Sequence, residues 1–322
     1  MHISEQEAKA AAMLLDKAAD RTEAVLRGKR GAVRQALAAI LGGGHLLIED
    51  LPGAGKTTLA RTLSIVLGLP FSRIQFTSDL LPSDVTGAQV FDPRTAEFSF
   101  RPGPVFSGVV LADEINRAPP RTQSALLEAM SEGQVTIDGT AHPLPVPFVV
   151  LATQNPLDQS GTYPLPDSQL DRFLMRISLG YPTAASEREL LLSRDAISSP
   201  LESVEPLLDP KKLQELRRAA QSVRMDPSLA DYISRIVQAT RGTKLLTSGV
   251  STRGLLALGA AARASALLDG RSFMLPDDVK RMAVPVLAHR VRLARGGADL
   301  HGAREESGRV IQALVDRTEV PA

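Results

Sequence analysis

Residues 45–61 read HLLIEDLPGAGKTTLAR, and the order of their residue types predicts a strand, a loop and a helix. The apolar run His45–Ile48 has the composition of a buried strand, while the amphipathic stretch from Lys56 onward, closed at Gly68, has a helical period. Between them Gly53, Gly55, Lys56 and Thr57 match the phosphate-loop pattern except at its first glycine, where this chain has Asp50. Such a loop needs backbone N–H groups free to face phosphate oxygens, a lysine to neutralise them and a hydroxyl to ligate Mg²⁺, and Gly53–Thr57 supply all of these. The helix that follows adds the positive end of its dipole. The predicted nucleotide-contacting set is Pro52, Gly53, Ala54, Gly55, Lys56, Thr57 and Thr58.

Phosphate chemistry of this kind also needs a carboxylate at the end of a neighbouring strand to hold Mg²⁺ through water. The run VVLADE offers Asp113 for that task and Glu114, one residue on, to polarise the attacking water. Two acids after a buried strand also read as a solvated strand end, so the assignment rests on the phosphate loop upstream. Thr57 and Asp113 are thus the expected metal-holding pair.

Further strand-like runs lie at residues 71–76, 108–114, 147–154 and 173–179, with helical stretches between most of them, which is the alternation of an α/β fold on a parallel sheet. Two segments break it and read as hairpins: AQVFDPRTAEFSF, turning at Asp92–Arg94, and QVTIDGTAH, turning at Asp138–Gly139. Beyond Tyr181 strand signals stop, and proline at first helical positions (Pro210, Pro227, Pro276) and a capping Ser251 mark helices. The expected division is 1–182 for the α/β nucleotide-binding part with its N-terminal helix and 183–322 for an all-helical part, with residues 294–308 the best candidate for a mobile loop.

Composition narrows the function. The 322 residues carry 37 positive and 36 negative side chains, which gives no global electrostatic reason for nucleic acid or a membrane surface as partner. No apolar run approaches the roughly 18 residues of a membrane span. The absence of cysteine removes disulfides and thiolate chemistry, and a cytoplasmic protein is expected. With no Trp and 3 Tyr, stacking platforms for single strands are poorly supplied. Histidines at 45, 142 and 289 have no ligand spacing.

The motifs EDLPGAGKTTLAR, RIQFTSDLLPSDVTG, FRPGPVF, VVLADEINRAPPRTQSALLEAM, EGQVTIDG, LATQNP, GTYPLPDSQLDRF, STRG and PDDVKRMAVPVLAHR together resemble the MoxR family of AAA+ ATPases, a group related to magnesium chelatase motor subunits. The resemblance covers most of the chain. It implies a five-stranded parallel sheet of order 5-1-4-3-2, two inserted β-hairpins and an all-helical C-terminal lid, with ATP and Mg²⁺ as ligands. By the same resemblance Asn155 is similar to sensor 1, the amide that orients the attacking water; Arg172 resembles an arginine finger reaching a neighbouring subunit, with Arg176 as the reserve; and Arg253 resembles sensor 2, contacting phosphates within its own subunit. The family further implies a ring, commonly a hexamer, a partner bearing a von Willebrand factor A domain, and ATP-driven maturation or metal or cofactor insertion in client proteins. A nucleic-acid motor and a nucleotide-gated scaffold with little turnover stand as the other readings.

Overall fold

The computed structural model describes residues 2–50, 52–155, 161–181, 184, 187–188, 191, 200–294 and 300–321. Two helices open the chain, α1 (Glu5–Val25) and α2 (Arg30–Leu41). Ser4 starts α1 through a reciprocal capping box with Glu7. Then follow β1 (Leu46–Glu49), α3 (Lys56–Val66), β2 (Phe71–Gln75), α4 (Pro82–Thr86), the hairpin β3 (Gly87–Asp92) and β4 (Glu97–Pro102), and β5 (Val109–Asp113). Helix α5 (Pro120–Glu132), a second hairpin of β6 (Gln134–Ile137) and β7 (Thr140–Pro143), β8 (Val149–Gln154), the short α6 (Asp167–Leu170) and β9 (Met175–Ile177) complete the α/β part.

The sheet runs β2-β5-β8-β1-β9, parallel throughout. Numbering its five strands alone along the chain gives the expected 5-1-4-3-2. Strands β5 and β8 are buried at every residue, as strands covered on both faces must be. One face carries Leu46, Ile48, Leu111 and Leu151 toward α1, α2 and α3; the other carries Leu47, Val110 and Val150 toward α5. Because strand side chains alternate, Asp113 falls on the α3 face with Thr153, while Glu49, Gln154 and Arg176 fall on the opposite one.

The C-terminal part holds α7 (Pro210–Gln221), α8 (Pro227–Gly242), β10 (Leu246–Ser248), α9 (Thr252–Leu268), α10 (Pro276–Leu287), β11 (Arg292–Leu293) and α11 (Leu300–Arg317). Asp209, Asp226 and Ser251 cap their helices through side-chain acceptors. Two details differ from the sequence expectation. A two-stranded antiparallel ribbon, β10 with β11, accompanies the lid helices, its strands too short to leave an alternating pattern. Residues 300–308, expected as loop, form the first half of α11 because Val310, Ile311 and Val315 bury its apolar stripe; residues 295–299 lie outside the described residues.

The expected boundary at 182/183 also lies outside the described residues, yet the packing on either side of it is continuous. A single apolar cluster runs from Leu15 and Leu37 through Leu63 to Leu216, Ile236, Leu258, Val286 and Ile311. Truncating one of these leucines to alanine costs about 2–5 kcal/mol. The hairpins stand outside this cluster. Phe100 is packed, stacked on His142 at 3.9 Å and edge-on to Phe106 at 5.5 Å, so the two hairpins touch; Phe98 pairs with Phe91 and stays 70% exposed.

Candidate active site

At the C-terminal end of β1 the chain turns into α3 through Gly53 (φ 83°) and Gly55 (φ 91°). A side chain at Gly53 would meet nothing within 4 Å, so the left-handed backbone, and not crowding, requires glycine there. Pro52 and Gly53 are exposed, and Ala54, Gly55, Lys56, Thr57 and Thr58 are half-buried, with no acidic residue in the first turn of α3. The loop therefore leads into a helix N-terminus whose dipole no acidic side chain of its first turn offsets. Lys56 Nζ donates to the Asp50 carbonyl at 2.7 Å. Burial lowers the lysine's pKa, opposed by the carboxylates of Asp50, Asp113 and Glu114 around it.

The acidic strand end lies beside this loop. Asp113 Oδ1 accepts from Thr153 Oγ1 at 2.6 Å, and its Oδ2 accepts from Arg73 at 2.6 and 3.1 Å. Glu114 has a left-handed backbone (φ 55°, ψ 50°), a conformation costing about 1–3 kcal/mol for a residue with a side chain. Its N–H donates to Thr153 Oγ1 at 2.8 Å, so one threonine hydroxyl aligns both acids. Glu114 Oε2 is 2.9 Å from Arg117 Nε and accepts from Gln75 Nε2 at 3.3 Å. Arg117 thus pairs with Glu114 across one turn. Thr153, Arg73 and Gln75 were not singled out by the sequence. Their signal was there, since β2, β5 and β8 are adjacent and the three residues share the Asp113 face, but reading it required the register Gln75↔Asp113 and Ala112↔Ala152.

Asn155 follows the last residue of β8 at the same edge, half-buried. Arg172 lies elsewhere. It precedes β9, at the N-terminal edge of the sheet, and its head donates to the Leu127 carbonyl at 2.6 Å and Ser131 Oγ at 2.5 Å at the far end of α5. The neighbouring Asp171 accepts from Ser251 Oγ at 2.8 Å and from Arg290 Nε at 2.8 Å. Arg176, the reserve finger, is turned inward, 15% exposed and paired with Glu49 at 3.2 Å. Arg304 of α11 shares that carboxylate at 3.0 Å.

Arg253 lies apart from the phosphate loop of its own chain. It is exposed in the first turn of α9, whose cap Ser251 is bonded to Asp171, and its charge is felt by Arg290. It therefore shares the Arg172 edge. The chain's own phosphate loop is on the other edge, beyond the four residues of β1, about 13 Å at ~3.3 Å per residue. A contact between Arg253 and phosphates of the same subunit does not follow from this arrangement, because the lid helix starts at the wrong end of the strands.

The donor set fits Mg²⁺ and a polyphosphate. Thr57 supplies a hydroxyl at a helix N-terminus and Asp113 a carboxylate on the facing strand, both oxygen ligands suited to a hard cation. Among the described residues no cluster of three or more His, Cys, Asp or Glu offers a different metal site. A glycine loop, a lysine and an acidic strand end on one edge of a five-stranded parallel sheet define a P-loop ATPase. The sequence profile of the ATPase family associated with various cellular activities matches residues 45–175, and that of the AAA lid domain matches 238–313. The chain is 46% identical to protein YeaC of Bacillus subtilis, over 96% of this chain and 95% of that one. It is 40% identical to chaperone MoxR1 of Mycobacterium tuberculosis, over 87% of this chain and 76% of that one. A crystal structure of an ATPase from Cytophaga hutchinsonii superposes with a TM-score of 0.87 at 36% identity, over 99% of this chain and 98% of that one. The chain belongs to the MoxR family of AAA+ ATPases.

Proposed function

We propose that the protein is a ring-forming, chaperone-like motor in which each ATP is bound by one subunit and completed by the next. The observation that carries this reading is the separation of charges: Arg172 and Arg253 sit on the sheet edge opposite the chain's own phosphate loop. Two cations on the edge away from the phosphates of their own subunit are where a neighbour's nucleotide would meet them.

In this reading Pro52–Thr58 hold the phosphates, Lys56 neutralises them, and Thr57 directly and Asp113 through water would hold Mg²⁺, which when bound would supply charge neutralisation for the transferred phosphoryl group. Asn155 orients the attacking water. Glu114 Oε2 accepts its proton as the oxygen bonds to the γ-phosphorus and the bond to ADP breaks. To do so Oε2 exchanges Arg117 and Gln75 for the water, and the left-handed backbone at Glu114 keeps the carboxylate at the edge. Arg172 and Arg253 of the adjoining subunit stabilise the developing charge.

The name of the Mycobacterium tuberculosis relative supports a chaperone role, and the touching hairpins, with Phe98 exposed, offer a surface for a client. Maturation or metal or cofactor insertion in a client, a hexameric ring, a von Willebrand factor A partner and a cytoplasmic setting complete the proposal. No helix among the described residues is long and apolar enough to cross a membrane.

The test is turnover per subunit against protein concentration, with sizing in parallel. A rate that climbs as a ring forms is expected. A rate independent of concentration in a monomer overturns the shared site.

A further inference from the structure

Asp50 is where this chain departs from the general phosphate-loop pattern, and the reaction as described leaves its carboxylate without a task. The structure gives it one. Asp50 is 8% exposed and turns away from the loop toward the segment by which the chain leaves the α/β part after β9. Its carboxylate accepts from Ser178 Oγ at 2.8 Å, from the Gly180 N–H at 3.1 Å and from the Leu179 N–H. Lys29, also 8% exposed, approaches the same peptide units from the other side: its Nζ donates to the carbonyls of Leu179 and Gly180 at 2.8 Å and of Tyr181 at 2.5 Å.

We infer that Asp50 and Lys29 are positioning residues that couple the phosphate loop to the exit segment 178–181 and so to the C-terminal helices. The inference rests on ATP binding at Gly53–Thr57. An anion on the N–H groups and a cation on the C=O groups of successive peptides fix their orientation, since each charge accepts or donates only in one sense. Both charges are buried and each bonds through its head group to this segment, so a shift of Asp50 moves the segment with it. The backbone carbonyl of the same Asp50 is the acceptor for Lys56 Nζ, and Lys56 is the group whose acceptor changes when a phosphate binds. The path from phosphate to exit segment thus runs Lys56, Asp50 carbonyl, Asp50 carboxylate, Leu179 and Gly180, one residue serving both ends. A glycine at position 50, as the general pattern has, keeps the loop but has no side chain to carry this connection.

The test uses the full chain with Tyr181→Trp as reporter; Tyr181 is 74% exposed and the sequence has no other tryptophan. Asp50→Gly and Asp50→Asn are compared with it, together with Lys29→Met. Without nucleotide, amide exchange at Leu179 and Gly180 is expected to be slow in the parent and faster in both Asp50 variants. With ATP, the variants are expected to bind a fluorescent analogue within about threefold of the parent, while the ATP-induced tryptophan signal falls to less than about a third and turnover by about tenfold. Asparagine is expected to fail with glycine, because the two N–H donors bond to different carboxylate oxygens and either orientation of the amide sets its nitrogen against one of them. A purely structural Asp50 predicts a lower melting temperature with the nucleotide-induced signal intact in the molecules that remain folded, and that result overturns the inference. So does fast exchange at Leu179 and Gly180 in the parent. A parent that binds no ATP instead refutes the nucleotide site on which both readings stand, and is told apart by the binding measurement alone.

Discussion

The two edges of the central sheet treat charge in opposite ways. At the C-terminal edge Asp113 and Glu114 are paired with Arg73 and Arg117, whose side chains are 49% and 44% exposed, so each partner can be exchanged for a ligand at small cost. At the N-terminal edge the polar groups are sealed in. Arg290 is 2% exposed and tied to Asp171 and the carbonyls of Phe173, Leu174 and Val286, and His45 is buried with both ring nitrogens engaged. Pairs that can open lie at the edge with the phosphate loop, and the other edge carries the half-buried Arg172 and the exposed Arg253 around a sealed cluster.

The sharpest way to break this contrast is to remove the groups that meet phosphate. Lys56→Ala is expected to weaken nucleotide binding at least about a hundredfold, whereas Glu114→Gln keeps affinity within about threefold and lowers turnover by about 10²–10⁴. Binding of a fluorescent analogue and phosphate release measure the two separately. Equal loss of affinity in both variants would dissolve the division of labour at this edge.

On the opposite edge, Arg172→Ala is expected to leave binding nearly unchanged and to lower turnover by about 10³, as for fingers supplied in trans. Subunits carrying Arg172→Ala should regain activity in mixed rings with subunits carrying Glu114→Gln, since some interfaces then join an intact acid to an intact arginine. Absence of rescue would take the finger away from Arg172. It would not pass to Arg176, which is held by Glu49 inside the subunit.

Smaller in turnover but large in stability is the effect of the sealed pair itself. Arg290→Met leaves Asp171 without its partner and several carbonyls without a donor, and is expected to cost about 3–5 kcal/mol in urea unfolding, as for breaking a buried pair from one side. Asp171→Asn, which keeps an acceptor for Ser251, should cost less. Equal and negligible costs would show that the N-terminal edge is not locked as described.

How far the sequence reaches follows from the same contrast. The phosphate loop, Asp113, Glu114 and the strand order were legible because each sits in a contiguous stretch whose residue types are dictated by backbone geometry or phosphate charge. The turn at Asp138–Gly139 was legible for the same reason, with φ of 48° and 80°. The partners were not. Arg73 meets Asp113 across 40 positions and Arg290 meets Asp171 across 119, and such pairs emerge only once strand register and helix packing are fixed. The edge on which Arg253 lies was not legible for the same reason: a helix start tells where a charge sits along a helix, but not which edge of a distant sheet that helix begins at.

The mildest test concerns acid, and it separates the edges without touching catalysis. His45 Nε2 donates to the Met130 carbonyl at 3.1 Å and its Nδ1 accepts from the Val150 N–H at 3.0 Å. Burial lowers its pKa from 6.5 to about 4, the Met130 hydrogen bond opposes this, and the nearby Arg217 lowers it further. A base whose pKa is depressed on folding binds its proton more readily in the unfolded chain, so its contribution is complete above pH 6.5 and is lost as pH falls toward 4. Over that interval the loss is about 3 kcal/mol for the one group. Protonation would also place an N–H on Nδ1 against the Val150 N–H, two donors facing each other. His45→Gln, which can donate to Met130 and accept from Val150 without titrating, is expected to flatten the fall of the urea midpoint between pH 6.5 and 4. Some slope remains from His289, which burial beside Arg290 and Arg176 also holds well below its ordinary pKa. An equally steep fall in the variant would show that the ring at position 45 is not the group that titrates.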